Sequence, residues 1–149
     1  NIKELILCAD NKKDIEERVQ EIKKAIDTYK PQALIIRTLP NTEDKLHAQY
    51  SNTNPAYVCH EAMEYITTNG VEHFLIDLPS VDKEVDKGEL LAHKAFWNYP
   101  EAPFYSKTIT EFIYVPNAIA DGLYLLNLQV APFENDASPS RPGLYVLSQ

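Results

Sequence analysis

"FLIDLPSVDKEVDKGELLAHKAFW", Phe74 to Trp97, is the stretch on which the reading of this chain turns. The apolar run Phe74 to Ile76 stops abruptly at Asp77. Pro79, Ser80 and a second acid, Asp82, follow at once, then a strongly charged segment, and then His93 between Ala92 and Lys94. A short apolar run bounded by turn formers reads as a buried strand, here Val71 to Asp77. Open α/β sheets place ligands at the carboxyl ends of their strands, and Asp77 stands at such an end. Two readings of Asp77 stay open: its side-chain oxygen caps the following turn, as Pro79 and Ser80 favour, or it takes a direct part in chemistry.

Upstream, the pattern alternates. Ile2 to Cys8 reads as a strand, and Asp10 or Asn11 as the cap of a helix. Ile15, Val19, Ile22 and Ile26 recur on one helical face, and Pro31 ends that element. Ala33 to Arg37 reads as a strand buried on both faces. Thr42 to Asn54 is polar and loop-like. A second helix is expected from Pro55, capped by Asn54 or Thr53, to about Asn69, with Gly70 as its stop. Strand, helix, strand, helix, strand predicts an α/β layer with parallel pairing. The second half changes character: Thr108 to Val115, Gly122 to Val130 and Gly143 to Leu147 are strand-like, and Ala131 to Pro142 is a Pro- and Ser-rich loop or arm.

The 149 residues suit one domain able to bury a sizeable core. Hydrophobic residues make up 44% and charged residues 24%, so disorder is not expected. The formal charge of −8 repels a phosphate backbone, and the densest basic cluster, Lys12 to Lys24, is interleaved with acids. Nucleic acid is therefore not an expected partner. No apolar run approaches the roughly 18 residues of a membrane-spanning helix, so no membrane partner is expected. Cys8 and Cys59 lack metal-ligand spacing and read as reduced thiols of a cytoplasmic protein.

Two residues stand out for chemistry. His93 can serve as a metal ligand or as a general base near neutral pH, or can sit half-exposed before the aromatic pair Phe96 and Trp97. In TITEFIY, strand alternation puts Ile109, Glu111 and Ile113 on one face. A carboxylate among apolar neighbours costs desolvation energy unless it is paired or metal-bound, whereas an exposed alternating face holds it freely. His47, His60 and His73 lie in a loop, a helix and a strand without ligand spacing. No HExxH, CxxC, GxGxxG or GxSxG pattern occurs, which removes the usual anchors of zinc peptidases, nucleotide-binding folds and serine hydrolases.

Beyond these residue-level signals, GVEHFLIDLPSVD (Gly70 to Asp82) resembles the G-V-x-x-x-x-x-D-T-P-S-V-D signature of the metal-dependent cyclase family, which includes bacterial kynurenine formamidases and isatin hydrolases. Further blocks follow in order across Ala33 to Val146. Arg37-Thr38 is similar to the family's R-T-G-W segment, LLAHKAFW to its A-H block, TITEFIY to its E-N-L strand, and NDASPSRP to its D-A-S-P-x-R segment. The chain departs from the pattern at Leu78, where Thr is usual, and at Leu39-Pro40, where the family has Gly-Trp. The interval from His93 to Glu111 is longer, and no H-x-x-x-H-x-D motif is present.

The resemblance implies a swivelling β/β/α domain over residues 1–149, with a mixed sheet and flanking helices, lacking the segment that carries the family's first metal motif. It implies a metal-dependent hydrolase of a small amide, cyclic amide or lactam, working with a divalent zinc or manganese ion. By position His93 and Glu111 match the family's later metal ligands, with His93 also a candidate base. Asp77 to Asp82 would then be a turn beside the site. Ser138 and Arg141 would shape a pocket or a subunit contact, or simply serve a Pro-rich turn. A homo-oligomer is expected, with the tyrosines of Tyr99 to Tyr105 offering contact area. The competing expectation is a non-catalytic binding or structural module that keeps the fold without the metal.

Overall fold

In the computed structural model, which describes Gln20 and residues 23–147, the central element is strand β2 (His73–Ile76). It lies between β1 (Ala33–Ile36) and β3 (Thr108–Thr110), and both pairings are parallel. Phe74, Leu75 and Ile76 are fully buried, as a central strand covered on both faces requires. β1 is an edge strand among the described residues, and only Leu34 and Ile36 are buried. The expectation that this segment is buried on both faces is corrected to alternation. The expected strand Ile2 to Cys8, and the start of the helix after it, lie outside the described residues.

Helix α1 (23–29) ends where Lys30 turns left-handed at φ 45°, just before Pro31. Helix α2 (His60–Thr68) buries Ala62, Met63 and Ile66 against the sheet. It closes at Asn69, and Gly70 follows at φ +86°, a conformation glycine takes without a Cβ penalty. The expected start at Pro55 is wrong. Asn54 is left-handed, its N–H is taken by Glu84, and the chain then runs extended so that Val58 N–H reaches the Val81 carbonyl at 2.8 Å. A buried Val58 tied to the segment after β2 outweighs proline's preference for a first helical turn. A 3₁₀ turn (Glu43–His47) interrupts the loop expected over Thr42 to Asn54.

The charged segment after Asp82 leads into a third helix, α3 (Leu91–Trp97), whose Ala92 and Phe96 are buried. Phe96 meets Phe74 at 6.3 Å between ring centroids. Burial of side chains such as Phe74, Phe96, Met63 and Ile66 contributes about 1.5–3 kcal/mol each. β3 is shorter than the Thr108 to Val115 run predicts. It ends at Thr110, and Phe112 adopts φ 56°. The segment still follows β2, through Phe112 N–H to Leu78 O and Ile113 N–H to Ile76 O, but the simple alternation that placed Glu111 with Ile109 and Ile113 is broken.

The described residues divide into two compact units, with the boundary between Ile119 and Ala120. The second unit holds an antiparallel pair, β4 (Tyr124–Val130) and β5 (Ser140–Val146). Parallel and antiparallel pairings thus fall in two sheets, rather than in one mixed sheet, among the described residues. The architecture is α/β, as the order of elements predicts.

Asp77 does not cap the turn that follows it. Its carboxylate reaches across the carboxyl end of the sheet and accepts the Thr38 N–H at 2.9 and 3.1 Å. Lys45 Nζ lies 2.7 Å from Oδ2 and also donates to the Thr38 carbonyl at 2.6 Å. One buried carboxylate therefore ties the ends of β1 and β2 to the 3₁₀ turn. Removing one partner of such a pair leaves the other uncompensated. Asp77→Ala is expected to lower unfolding stability by roughly 3 kcal/mol, and Asp77→Asn by less because it keeps one acceptor. Urea titration of the three proteins checks the order.

Candidate functional site

Two segments separated along the chain bring three side chains together. Asp82 leaves the turn after β2, with its N–H bonded to Ser80 Oγ at 3.1 Å. Leu90 enters α3 left-handed, at φ 49° and ψ 48°, and offers no side-chain cap to the helix. Asp82 supplies the cap from a distance. Its Oδ1 accepts the Ala92 N–H at 2.7 Å and its Oδ2 the His93 N–H at 3.2 Å. A negative carboxylate at a helix start satisfies donors that no intrahelical carbonyl can reach.

The same Oδ2 lies 2.6 Å from His93 Nδ1. An ionised carboxylate can only accept, so Nδ1 carries the proton. Burial pushes the Asp82 carboxyl up. The His93 ring hydrogen bond, the Ala92 and His93 N–H groups and the His93 charge together outweigh burial and hold it below its ordinary value. Trp97 packs on the imidazole, with ring centroids 5.2 Å apart. The ring is thus oriented from Nδ1 and from one side, and Nε2 is left to face Glu111.

Glu111 is held as well, by the Val81 N–H at 2.8 Å from Oε1. That oxygen stands 3.6 Å from His93 Nε2, which is too long for a direct hydrogen bond. The side chains of Asp82, His93 and Glu111 are 7%, 20% and 28% exposed, so the constellation is open at the Glu111 end. With the proton on Nδ1, an Nε2 lone pair faces a carboxylate oxygen. A second proton on the ring, or a proton donor or cation between the two groups, makes that approach favourable. Two donors on one ion, each about 2.0–2.2 Å from it, stand roughly 3–4 Å apart. His93 and Glu111 therefore fit as part of a donor set. They do not complete one: no group of three His, Cys, Asp or Glu that could hold a metal ion occurs among the described residues.

Sequence reading names His93 and Glu111, and the structure brings them together. It does not single out Asp82 as the partner of His93. The available signal was the run of acids after β2, but nothing in the spacing selects Asp82 from Glu84, Asp86 or Glu89. The competitors have other work: Glu84 accepts the Asn52 and Asn54 N–H groups, and Asp86 those of Gly88 and Leu90. Ser138 and Arg141 lie in the second unit, where Ser138 Oγ donates to the Ala131 carbonyl and Arg141 pairs with Gln129 on β4.

Two of the other histidines have local partners, and His47 ends the 3₁₀ turn. His73 Nδ1 lies 2.9 Å from Thr108 Oγ1, and His60 sits 3.3 Å from Glu64. His60 and Glu64 line an open groove of about 680 Å³ beside α2 and α3, to which neither His93 nor Glu111 contributes. No protein-family model matches the chain, and a search of curated proteins finds no match either. No helix among the described residues is long and apolar enough to cross a membrane.

Because the native Asp82 carboxyl is depressed, the unfolded state binds more protons between the two pKa values, and stability rises with pH there. The contribution is present above the unfolded value, about 3.9, and is lost as pH falls through the lower native value. Asp82→Asn is expected to cost about 1–3 kcal/mol at pH 7, with the gap to wild type closing below about pH 4. Thermal unfolding across pH 2–8 measures the gap, and a gap independent of pH contradicts the assignment.

Proposed function

We propose that the chain carries part of the active site of a metal-dependent hydrolase of small amides, cyclic amides or lactams. The observation that supports this best is the sequence Asp82 carboxylate, His93 Nδ1, His93 Nε2, Glu111 carboxylate, closed at its first gap and open at its second. A carboxylate on one imidazole nitrogen is the usual means of orienting the other nitrogen toward a metal and raising its basicity. Asp82 and Trp97 fix the ring, the Val81 N–H fixes Glu111, and His93 Nε2 and Glu111 are the two donors. The bound zinc or manganese ion would lower the pKa of a water molecule and polarise the substrate carbonyl. The resemblance of the Gly70–Asp82, Leu90–Trp97 and Thr108–Tyr114 blocks to the cyclase family supports the same class.

Catalytic zinc normally takes three protein ligands. The remaining donors in this proposal would be those of a segment like the family's H-x-G-T-H-x-D, a motif that these 149 residues do not contain. The 149-residue chain alone is expected to bind zinc or manganese weakly and to turn over little or no substrate. A chain that joins these residues to such a segment is expected to be active, and His93→Ala in it to reduce the rate at least about 100-fold, in line with loss of a metal ligand or base. The assay adds zinc and manganese to both forms with a panel of small amides and lactams. Robust turnover by the short form shows that the site lies elsewhere, and inactivity of the long form on every substrate favours the binding-module reading. The incomplete donor set is the observation that keeps this second reading in play.

The same proposal carries a homo-oligomer. Tyr99 and Tyr105 expose much of their rings, and such amphipathic rings are favoured at contacts between chains. Light scattering is expected to give more than a monomer mass at micromolar concentration.

A further inference from the structure

The loop that follows α3, residues 98–107, folds back on Trp97 from two sides. The Trp97 carbonyl accepts the Phe104 N–H at 2.9 Å, and the indole Nε1–H donates to the Lys107 carbonyl at 3.1 Å. Asn98 starts the loop left-handed at φ 53°, and its Nδ2 donates to the Ala102 carbonyl at 3.2 Å. Lys107 closes the loop, immediately before β3. The whole segment falls in the interval between His93 and Glu111 that is longer than in the family resembled above.

Lys107 makes contacts with both its side chain and its backbone. Its Nζ donates to the Thr67 carbonyl at 3.0 Å and to the Thr67 hydroxyl. The ammonium also lies 5.0 Å from the ring centre of the buried Phe96 and 4.8 Å from that of the half-exposed Phe104, within cation–π range of both. Thr67 Oγ1 in turn donates to the Phe96 carbonyl at 2.8 Å. Among the described residues no carboxylate forms an ion pair with Lys107. Burial pushes the amine below its ordinary value, and the charge of Glu72 offsets only part of that. An apolar side chain such as methionine would fill the space between two aromatic rings at a lower desolvation cost. What the ammonium supplies is a directed anchor on α2 for the residue whose carbonyl holds the indole.

We propose that Lys107 is a positioning residue for His93 and acts through Trp97. Its ammonium latches the 98–107 loop onto Thr67 of α2, its carbonyl fixes the indole, and the indole covers the imidazole at 5.2 Å between ring centroids. Asp82 sets the His93 ring through Nδ1, and the latch sets it from the face. The inference deepens the hydrolase reading by naming what holds the second side of its histidine. The latch itself needs neither metal nor substrate, so its test can fail while that reading stands.

Trp97 is the only tryptophan of the chain, so tryptophan fluorescence reads the latch directly. Lys107→Met keeps the aliphatic stem and loses the charge. It is expected to raise acrylamide quenching of Trp97 at least about threefold, the equivalent of one exposed cation–π contact. The His93 ring-proton resonances, recorded at a pH where the ring is neutral, are expected to move toward their positions in an unstructured peptide as the indole leaves. Lys107→Arg keeps the charge and the donors and is expected to restore both signals to near wild type. Should Lys107→Met not fold, Thr67→Val, which removes the hydroxyl and leaves the carbonyl, is read in the same way, with a smaller change in the same direction expected. Wild-type quenching and wild-type His93 resonances in the variant overturn the proposal. So does exposure of Trp97 without movement of His93, failure of Lys107→Arg to restore the signals, or a lower melting temperature as the sole effect.

Discussion

The Asp82 carboxylate is the contact on which the candidate site depends. It caps helix α3 through the Ala92 and His93 N–H groups, and it holds the His93 ring through Nδ1. Neither task is separable from the other. Leu90 cannot cap the helix, so without Asp82 the first turn of α3 has free donors, and the ring loses its anchor as the turn frays. The helix is only seven residues long and gains little from propensity. Its place comes from Ala92 and Phe96 in the core and from this carboxylate at its start.

A second carboxylate does for the sheet what Asp82 does for the helix. Asp77 joins the ends of β1 and β2 to the 3₁₀ turn through Thr38 and Lys45. Because β2 is the central strand, the turn that follows it inherits a fixed origin. Asp82 is five residues past Asp77 in that turn, and Val81, whose N–H positions Glu111, is buried in it. Two acids in one short segment thus serve different partners: one fixes where the sheet ends, the other fixes where the histidine points. Ion pairs of this kind are costly to desolvate. Their value here is position, since each carboxylate takes two or more donors that would otherwise be stranded.

Much of the α/β layer was legible because burial leaves a period in the sequence. The continuous apolar run of β2, the Gly70 stop after α2 and the end of α1 before Pro31 follow from covalent and packing preferences that act locally. The failures have a common cause in contacts between distant segments. Pro55 does not begin a helix, because Val58 bonds to Val81. Thr108 to Val115 does not stay a regular strand, because Phe112 is turned left-handed by its bonds to the end of β2. At the site, His93 and Glu111 were legible as residue types with chemistry and as parts of motifs that resemble a family. Asp82 was not, since which of four nearby acids meets a histidine is decided by the path of the loop and leaves no mark in spacing.

The central claim is that Asp82 holds His93 with its proton on Nδ1 and leaves Nε2 free to face Glu111. Nitrogen-15 NMR of the histidine ring reads this directly, because protonated and unprotonated ring nitrogens differ widely in shift. At a pH where His93 is neutral, the account predicts a protonated Nδ1 and a bare Nε2, with the pattern lost in Asp82→Asn. A proton resident on Nε2 in the wild-type chain would contradict it, since Glu111 rather than Asp82 would then be directing the ring.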